Sequence, residues 1–403
     1  MGCLFAPYSA LSQDRSGPAR SDGPIIEVVV VGPGDNFYTI FGHLAVLVRS
    51  NADVPPAQGD LFNFGVTKFS DPLYLWNFMT GRAIFWGNKR PYQRQLKKWS
   101  REDRSIRRYP LLLNSKVRQE IHDRFEEMVS PAGREFRYDT FRENCSTRVR
   151  DVIDEFTDGA IGARWKQRRT QETFRDRARH GYAQHPALLG LLDWGAGEVM
   201  DAPRTAWQRA GEPVFFGAEL PTLTTQDGGP LFGKETVDRS RKGGPAVGGS
   251  TSWLTYLHAI IALFLFFLGM TWRGEPNRLK GGTLLVWSLG VTFVGLLFYI
   301  LHFVSLWPET RANWLMLGAC PLDIVLLGPA IAWLRGSTDL SPWVIGYLRF
   351  RVCVFVAGLC VEPFIAPEMG PVGPRMLLLC GWFLVNRLID DASQVATAQS
   401  SPS

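Results

Sequence analysis

Five apolar stretches in the C-terminal part of the chain constrain its fold more than any other feature. They run over 253–272, 281–307, 313–334, 343–365 and 375–389. A helix needs about 20 predominantly apolar residues to cross a bilayer. The first three stretches meet that length. The fourth carries Arg349 and Arg351 and the fifth is short, so five spans are expected, with four as the alternative. Trp253, Trp272, Trp307, Trp314 and Trp343 lie near segment ends, where an aromatic belt would put them. The average composition conceals this division: 44 Lys+Arg against 38 Asp+Glu give a net charge of +6, but the charge is concentrated in residues 1–250. The chain is therefore neither a purely soluble protein nor a wholly embedded one. No block of like charges resembles a nucleic-acid tail. Mild basicity beside a membrane suits phospholipid headgroups.

The connection 273–280 holds Arg273, Arg278 and Lys280, whereas 308–312 holds only Arg311 beside Glu309. The positive-inside rule, which is strongest for short loops, then puts 273–280 in the cytoplasm and the soluble half outside. Arg239, Arg241 and Lys242, before the first span, argue the other way. Within or beside the apolar runs lie His302, Asp323, Arg349, Arg351, Glu362 and Asn386. Ionisable and polar groups there mark a functional site, or else form interhelical hydrogen bonds and snorkel to the interface.

In the soluble half, 25–31 (IIEVVVV) is a β-branched run closed by Gly32-Pro33-Gly34 and reads as a buried strand. Residues 43–48 (HLAVLV) and 61–66 (LFNFGV) read as two more. A helix is expected over 114–129, capped by Asn114 or Ser115, with Val117, Ile121, Phe125 and Met128 as its apolar stripe. A second amphipathic helix follows 138–147 and buries Val149, Val152, Ile153 and Phe156. Residues 226–250 are rich in Gly, Lys and Arg and read as a linker. Residues 1–22 show no basic stretch followed by an uninterrupted apolar one, as a signal peptide would. The expected organisation is a disordered tail over 1–24, a soluble domain over 25–225, the linker, a membrane bundle over 251–391 and a disordered tail over 392–403.

Of six cysteines, Cys320, Cys353, Cys360 and Cys380 lie in apolar stretches, where cysteine packs as a small hydrophobe. Cys3 is in the N-terminal tail, so Cys145 stands alone in the body of the soluble half. It lies in Asn144-Cys145-Ser146-Thr147, just before a helical periodicity begins. Unpaired N–H groups and the macrodipole at a helix start stabilise a thiolate, and a histidine within reach would complete an activated nucleophile. Packing alone is the competing explanation for such a cysteine. Among the six histidines, His43 opens a strand directly after Phe41-Gly42 and is the best-placed base; His122 belongs to a helix surface, His180 and His185 to an Arg-rich region, His258 and His302 to membrane segments. The base then precedes the nucleophile, the reverse of the usual papain-like order.

The set Tyr38-Thr39-Ile40-Phe41-Gly42-His43, Phe62-Asn63-Phe64-Gly65 and YDTFRENCST over 138–147, followed by Arg148, resembles the Lnb family of bacterial lipoprotein N-acyltransferases. The likeness runs from about Ile25 to Leu220 and takes in Trp194-Gly195 and Asp201; the membrane half is similar too, with His302 and the stretch from Asn313 to Pro321 in comparable surroundings. The Asn-Cys block and the His-before-Cys order are also similar to lecithin:retinol acyltransferase-like enzymes. The resemblance implies an α+β fold: a circularly permuted papain-like thiol-enzyme domain followed by an all-α multi-span membrane bundle. It implies that Cys145 takes an acyl chain from a phospholipid as a thioester, with His43 as base and Asn63 orienting the imidazole, and passes it to the N-terminal amine of a lipoprotein. Asn144, Tyr38, His302 and Asn313 are its candidate substrate-binding residues. No cofactor, metal or nucleic acid is implied. The implied location is the bacterial inner membrane, multi-pass, with the N-terminal domain facing the periplasm. Two other functions fit the bare residues: a papain-like peptidase or amidase acting on cell-wall peptides, and a non-catalytic membrane receptor with Cys145 buried. Released lysophospholipid rather than stem peptide separates the first, and reaction with iodoacetamide at neutral pH separates the second.

Overall fold

The computed structural model describes residues 23–337, 340–365 and 370–400. Nearly all of the expected N-terminal tail lies outside the described residues. The chain divides into two compact units. The first comprises residues up to Tyr74, Arg82–Thr170 and Arg204–Val247; the second comprises Leu75–Gly81, Gln171–Pro203 and the residues from Gly248 onward. The soluble domain expected over 25–225 is thus interrupted twice by segments that cluster with the membrane region.

The first unit is a mixed α+β domain built on a seven-stranded sheet of order β6-β4-β3-β2-β1-β5-β9. Its strands are β1 (Ile25–Val31), β2 (His43–Arg49), β3 (Asp60–Val66), β4 (Ile84–Pro91), β5 (Ile106–Pro110), β6 (Glu135–Arg137) and β9 (Thr236–Arg239), every neighbouring pair antiparallel. The β-branched run of β1 is buried from Ile26 to Val31 because helices cover both faces, which is why it shows no polar alternation. On one face Val29, Val31, Ala45, Leu47 and Leu61 pack with Tyr92 and Trp99 of α2 (Tyr92–Arg101). On the other, Phe62 and Phe64 each meet Phe125 of α3 (Ser115–Val129) with ring centroids 5.9 Å apart. The next helix, α4 (Cys145–Glu155), packs along β2 and β3. Three shorter helices, α5 (Ala160–Trp165), α8 (Ala206–Arg209) and α9 (Pro213–Glu219), complete the unit. Residues expected as a linker over 226–250 instead supply β9. Arg108 of β5 grips its Asp238 through Nε at 2.7 Å and Nη2 at 2.9 Å, while Nη1 reaches Glu27 at 2.6 Å. A paired Asp–Arg fork, not apolar burial, holds this charged edge strand.

A two-stranded sheet of β7 (Arg169–Thr173) and β8 (Pro203–Thr205) marks where the chain leaves and re-enters the first unit. The second unit holds the rest of α1 (Tyr74–Met79), α6 (Phe174–Tyr182), α7 (Pro186–Gly195) and five candidate spans. These are Ser252–Thr271, Arg278–Phe303, Pro308–Leu334, Pro342–Ile365 and Val372–Gln394. Four are single helices: α10 (Ser252–Thr271), α11 (Arg278–Phe303), α13 (Pro342–Ile365) and α14 (Val372–Ser400). α14 continues past Ile389 through most of the expected tail 392–403. The chain is a multi-pass membrane protein.

The third span departs from the expected continuous helix. It consists of 3₁₀ turns at Pro308–Thr310, Trp314–Leu317 and Pro321–Leu326 before α12 (Leu327–Leu334) begins. Pro308 and Pro321 each lack an N–H and break the α ladder. The freed backbone groups are satisfied from neighbouring spans: Ser288 Oγ donates to the Asp323 carbonyl at 2.9 Å and Trp382 Nε1 to the Gly318 carbonyl at 2.7 Å. Non-helical backbone at membrane depth is tolerated only where protein buries it in this way. Gly295 permits the approach, since a Cβ there would lie 2.6 Å from the Cys320 backbone. Asp323, fully buried, accepts from Arg351 Nε at 2.7 Å, Tyr347 Oη at 2.6 Å and the Cys320 N–H at 2.8 Å. Glu362 pairs with Arg375. For Asp323, Arg351 and Glu362 the packing role expected of intramembrane polar groups is therefore filled. The segment Gln171–Pro203 is stitched to the start of the third span: Asn313 Nδ2 donates to the Trp194 carbonyl at 2.7 Å, and Gly197 N–H to the Glu309 carbonyl at 2.7 Å.

Candidate functional site

Cys145 is the first residue of α4. The helix start is built by Asn144, whose Oδ1 accepts from Ser146 N–H at 2.8 Å and Thr147 N–H at 3.0 Å, while Thr147 Oγ1 accepts from the Asn144 N–H at 2.8 Å. This is a capping box, worth about 1 kcal/mol of helix stability. Ser146 and Thr147, good cap residues in the sequence, are inside the helix instead. Asn144 Nδ2 donates to the Thr140 and Gly211 carbonyls at 2.7 and 3.0 Å. Its amide is fully engaged in this frame, which gives Asn144 a structural role.

Beside Cys145, the β3–β4 pairing shifts register between Phe64 and Val66. Gly65 adopts φ +122 there, and a Cβ on it would come 3.9 Å from Cys145 Cβ. Bulges commonly sit next to active sites, where they re-aim the strand. The Leu44 N–H, one residue beyond His43, and the N–H groups of Cys145 and Ser146 lie close enough to the Cys145 sulfur to favour its thiolate.

His43 opens β2, on the same face as Ala45 and Leu47, with its ring centroid 5.9 Å from that of Trp99. Its Nε2 lies 3.1 Å from Asn63 Oδ1 on β3. A carbonyl oxygen only accepts, so Nε2 carries the proton and Nδ1 keeps the free lone pair. The structure thus brings His43 and Asn63 together. Among the described residues no hydrogen bond joins the Cys145 thiol to the imidazole; such contacts are often long without substrate and tighten in the reacting complex.

Burial pushes the Cys145 thiol above its ordinary pKa, against the opposing pull of the Leu44 N–H, the Arg104 charge and the helix N–H groups. Burial and then the Arg104 charge lower His43 to about 4, partly offset by Asn63. Both side chains retain partial solvent exposure, but the protein packed around them is dense enough to penalise charge. The resting pair is neutral thiol and neutral imidazole, not the thiolate that the helix start alone suggests. Desolvation outweighs the dipole.

Sequence reasoning missed Arg104. Only 3% exposed, it donates from Nε to the Gly32 carbonyl at 2.8 Å and lies 3.6 Å from Glu102, while its Nη2 is buried without a hydrogen-bond partner. Its positive charge lowers the pKa of both Cys145 and His43. In Arg104→Met both groups lose a lowering influence, so both pKa values should rise. Alkylation of Cys145 by iodoacetamide, followed on its own peptide by mass spectrometry, should then require higher pH, and His43 should titrate nearer 6.5. An unchanged alkylation profile would mean that Arg104 is only a structural strut.

The other expected site residues are dispersed. Tyr38 is exposed in the first unit, edge-on to Phe37 and tilted against Phe69. His302 and Asn313 lie in the second unit. Asn313 is buried, accepting from Leu315 N–H at 3.1 Å besides its bond to Trp194. His302 rests against Phe303, and its Nδ1 is buried without a partner. No hydrogen bond joins these two residues among those described.

A cysteine on a capped helix start, packed against strands that carry a histidine–asparagine pair, is the candidate site, on a chain with five candidate membrane spans among the described residues. Residues 20–178 match the family model described as the Lnb N-terminal periplasmic domain. No curated protein and no solved structure matches the chain.

Proposed function

We propose that the protein is a lipoprotein N-acyltransferase of the bacterial inner membrane, with its N-terminal domain in the periplasm, and that this domain is a permuted papain-like thiol enzyme. The observation that carries this reading is Cys145 at the capped start of α4, beside β2, whose first residue His43 is held by Asn63. As the Cys145 sulfur attacks the ester carbonyl of a phospholipid, its proton passes to His43 Nδ1. The developing oxyanion is stabilised by the Cys145 N–H at the helix start, those of Ser146 and Thr147 being taken by Asn144. His43 then protonates the departing lysophospholipid alcohol, leaving a thioester on Cys145. The neutral N-terminal amine of a lipoprotein attacks that thioester and gives its proton to His43, which returns it to the sulfur as the amide forms. A neutral imidazole suits both half-reactions, since each begins by accepting a proton. Two amphiphilic substrates explain why the thiol domain is tied to a membrane bundle.

The test is mass spectrometry of a model lipoprotein co-expressed with this protein in a host lacking its own N-acyltransferase. The N-terminal peptide should gain one acyl group. A free amine with normal expression of both proteins would end this reading.

A further inference from the structure

We infer that Leu75–Gly81, the segment inserted between β3 and β4, is an interfacial membrane anchor that docks on the phospholipid headgroup layer at one end of the bundle. The inference does not depend on the acyl-transfer reading. Although it lies between two strands of the first unit, this segment clusters with the membrane unit. The chain just after α11 holds it: Leu306 N–H donates to the Thr80 carbonyl at 2.9 Å and Ser305 Oγ to the Met79 carbonyl at 3.3 Å. Phe78 meets Trp307 edge-on at 5.1 Å. Gly81, with φ +70, presses its backbone on the same indole, and a Cβ there would stand 2.5 Å from Trp307 Cδ1.

The depth of this contact follows from the span it is fixed to. α11 has 26 residues, about 39 Å at 1.5 Å per residue, which exceeds the roughly 30 Å hydrocarbon core. Residues 304–307 therefore emerge at headgroup level, where tryptophan is favoured. The segment's free side chains match that level. Leu75 is 65% exposed and Trp76 45%, comparable to the lipid-facing Ile260 and Phe264 of α10 at 64% and 63%. Exposed Lys68 and Arg82 bracket it, with Asp71 the only charge between them. Asp71 caps the turn by accepting from Leu73 N–H at 2.9 Å. Apolar side chains flanked by cations are the pattern of an element lying in an interface, its basic ends near lipid phosphates.

The test places a photo-reactive side chain at three positions of the full chain, one at a time: Leu75→p-benzoyl-phenylalanine, Trp76→p-benzoyl-phenylalanine, and the mid-span reference Phe264→p-benzoyl-phenylalanine. Each variant is reconstituted in vesicles of phosphatidylethanolamine and phosphatidylglycerol, irradiated and weighed intact. All three positions are exposed, so folding should survive. The expected result is a mass increase of one phospholipid at Leu75 and Trp76 in yields similar to Phe264. Lipid capture at Phe264 with none at Leu75 and Trp76, or cross-linking of those two only to protein, would overturn the inference.

Discussion

Cys145→Ala should abolish acyl transfer in protein reconstituted with phospholipid and an acceptor lipopeptide, with neither lysophospholipid released nor acyl-peptide formed. On the proposed mechanism the loss should be complete, because the thioester would be the only covalent link between the two half-reactions and alanine removes the atom that forms it. Folding should be retained. The cap belongs to the Asn144 side chain, and alanine is the best helix former. Helix content and thermal unfolding should therefore stay close to those of the parent. Cys145→Ser keeps a hydroxyl in the same place but should fail too. An alcohol is far less acidic than a thiol and needs a stronger base, whereas His43 is held down at about 4. Product formation by the alanine variant would rule out the cysteine mechanism outright.

His43→Ala should lower kcat/KM by about 10²–10⁴-fold, the usual contribution of a positioned general base. His122→Ala supplies the comparison. His122 lies on α3 beside Glu126 and the edge of Phe62, and its removal should change little. Equal damage from the two substitutions would leave His43 without a special role. Asn63→Ala should cost less than His43→Ala and nothing further in the His43→Ala background, since Asn63 acts through the ring it orients. The same environment sets the pH dependence. A histidine lowered to about 4 is already unprotonated at pH 5, so wild-type kcat/KM for the phospholipid, followed as lysophospholipid release, should stay level from pH 5 to 7 and fall only on further acidification. An acid limb near the ordinary 6.5 would show that the surroundings of His43 do not hold its pKa down.

The parts of the fold visible in the sequence are those where local chemistry and tertiary outcome agree. β1, β2 and β3 announce themselves through Val, Ile and Leu runs, and α3 and α4 through caps followed by an apolar stripe. β5 (IRRYP) and β9 (TVDR) do not. They are short and charged, and what makes them strands is the Arg108–Asp238 fork across them, which no local pattern reports. The candidate site divides similarly. Asn-Cys-Ser-Thr ahead of a helical periodicity is a local signal and places Cys145 correctly at a helix start. Asn63 could be named only through family resemblance, because its role depends on a strand pairing. Arg104 sits in the run SREDRSIRR, which reads as a solvated stretch; its burial depends on the carbonyl of Gly32, far away in the chain. Hydropathy found the third span but could not see that it is broken, since hydropathy measures composition and not hydrogen bonding.

That break bears on how the protein enters its membrane. α10 and α11 satisfy their own backbones and can partition into lipid one at a time as they emerge. The segment Pro308–Leu334 cannot, because its carbonyls at Gly318 and Asp323 wait for Trp382 and Ser288, and the Asp323 carboxylate waits for Arg351. Two of those partners, Arg351 and Trp382, are synthesised later. During biogenesis the third segment must therefore linger in a protein-lined or hydrated site until α13 and α14 arrive. The three then enter hydrocarbon as a group, so a nascent chain truncated before Arg351 would hold an uncompensated charge and an open backbone at membrane depth.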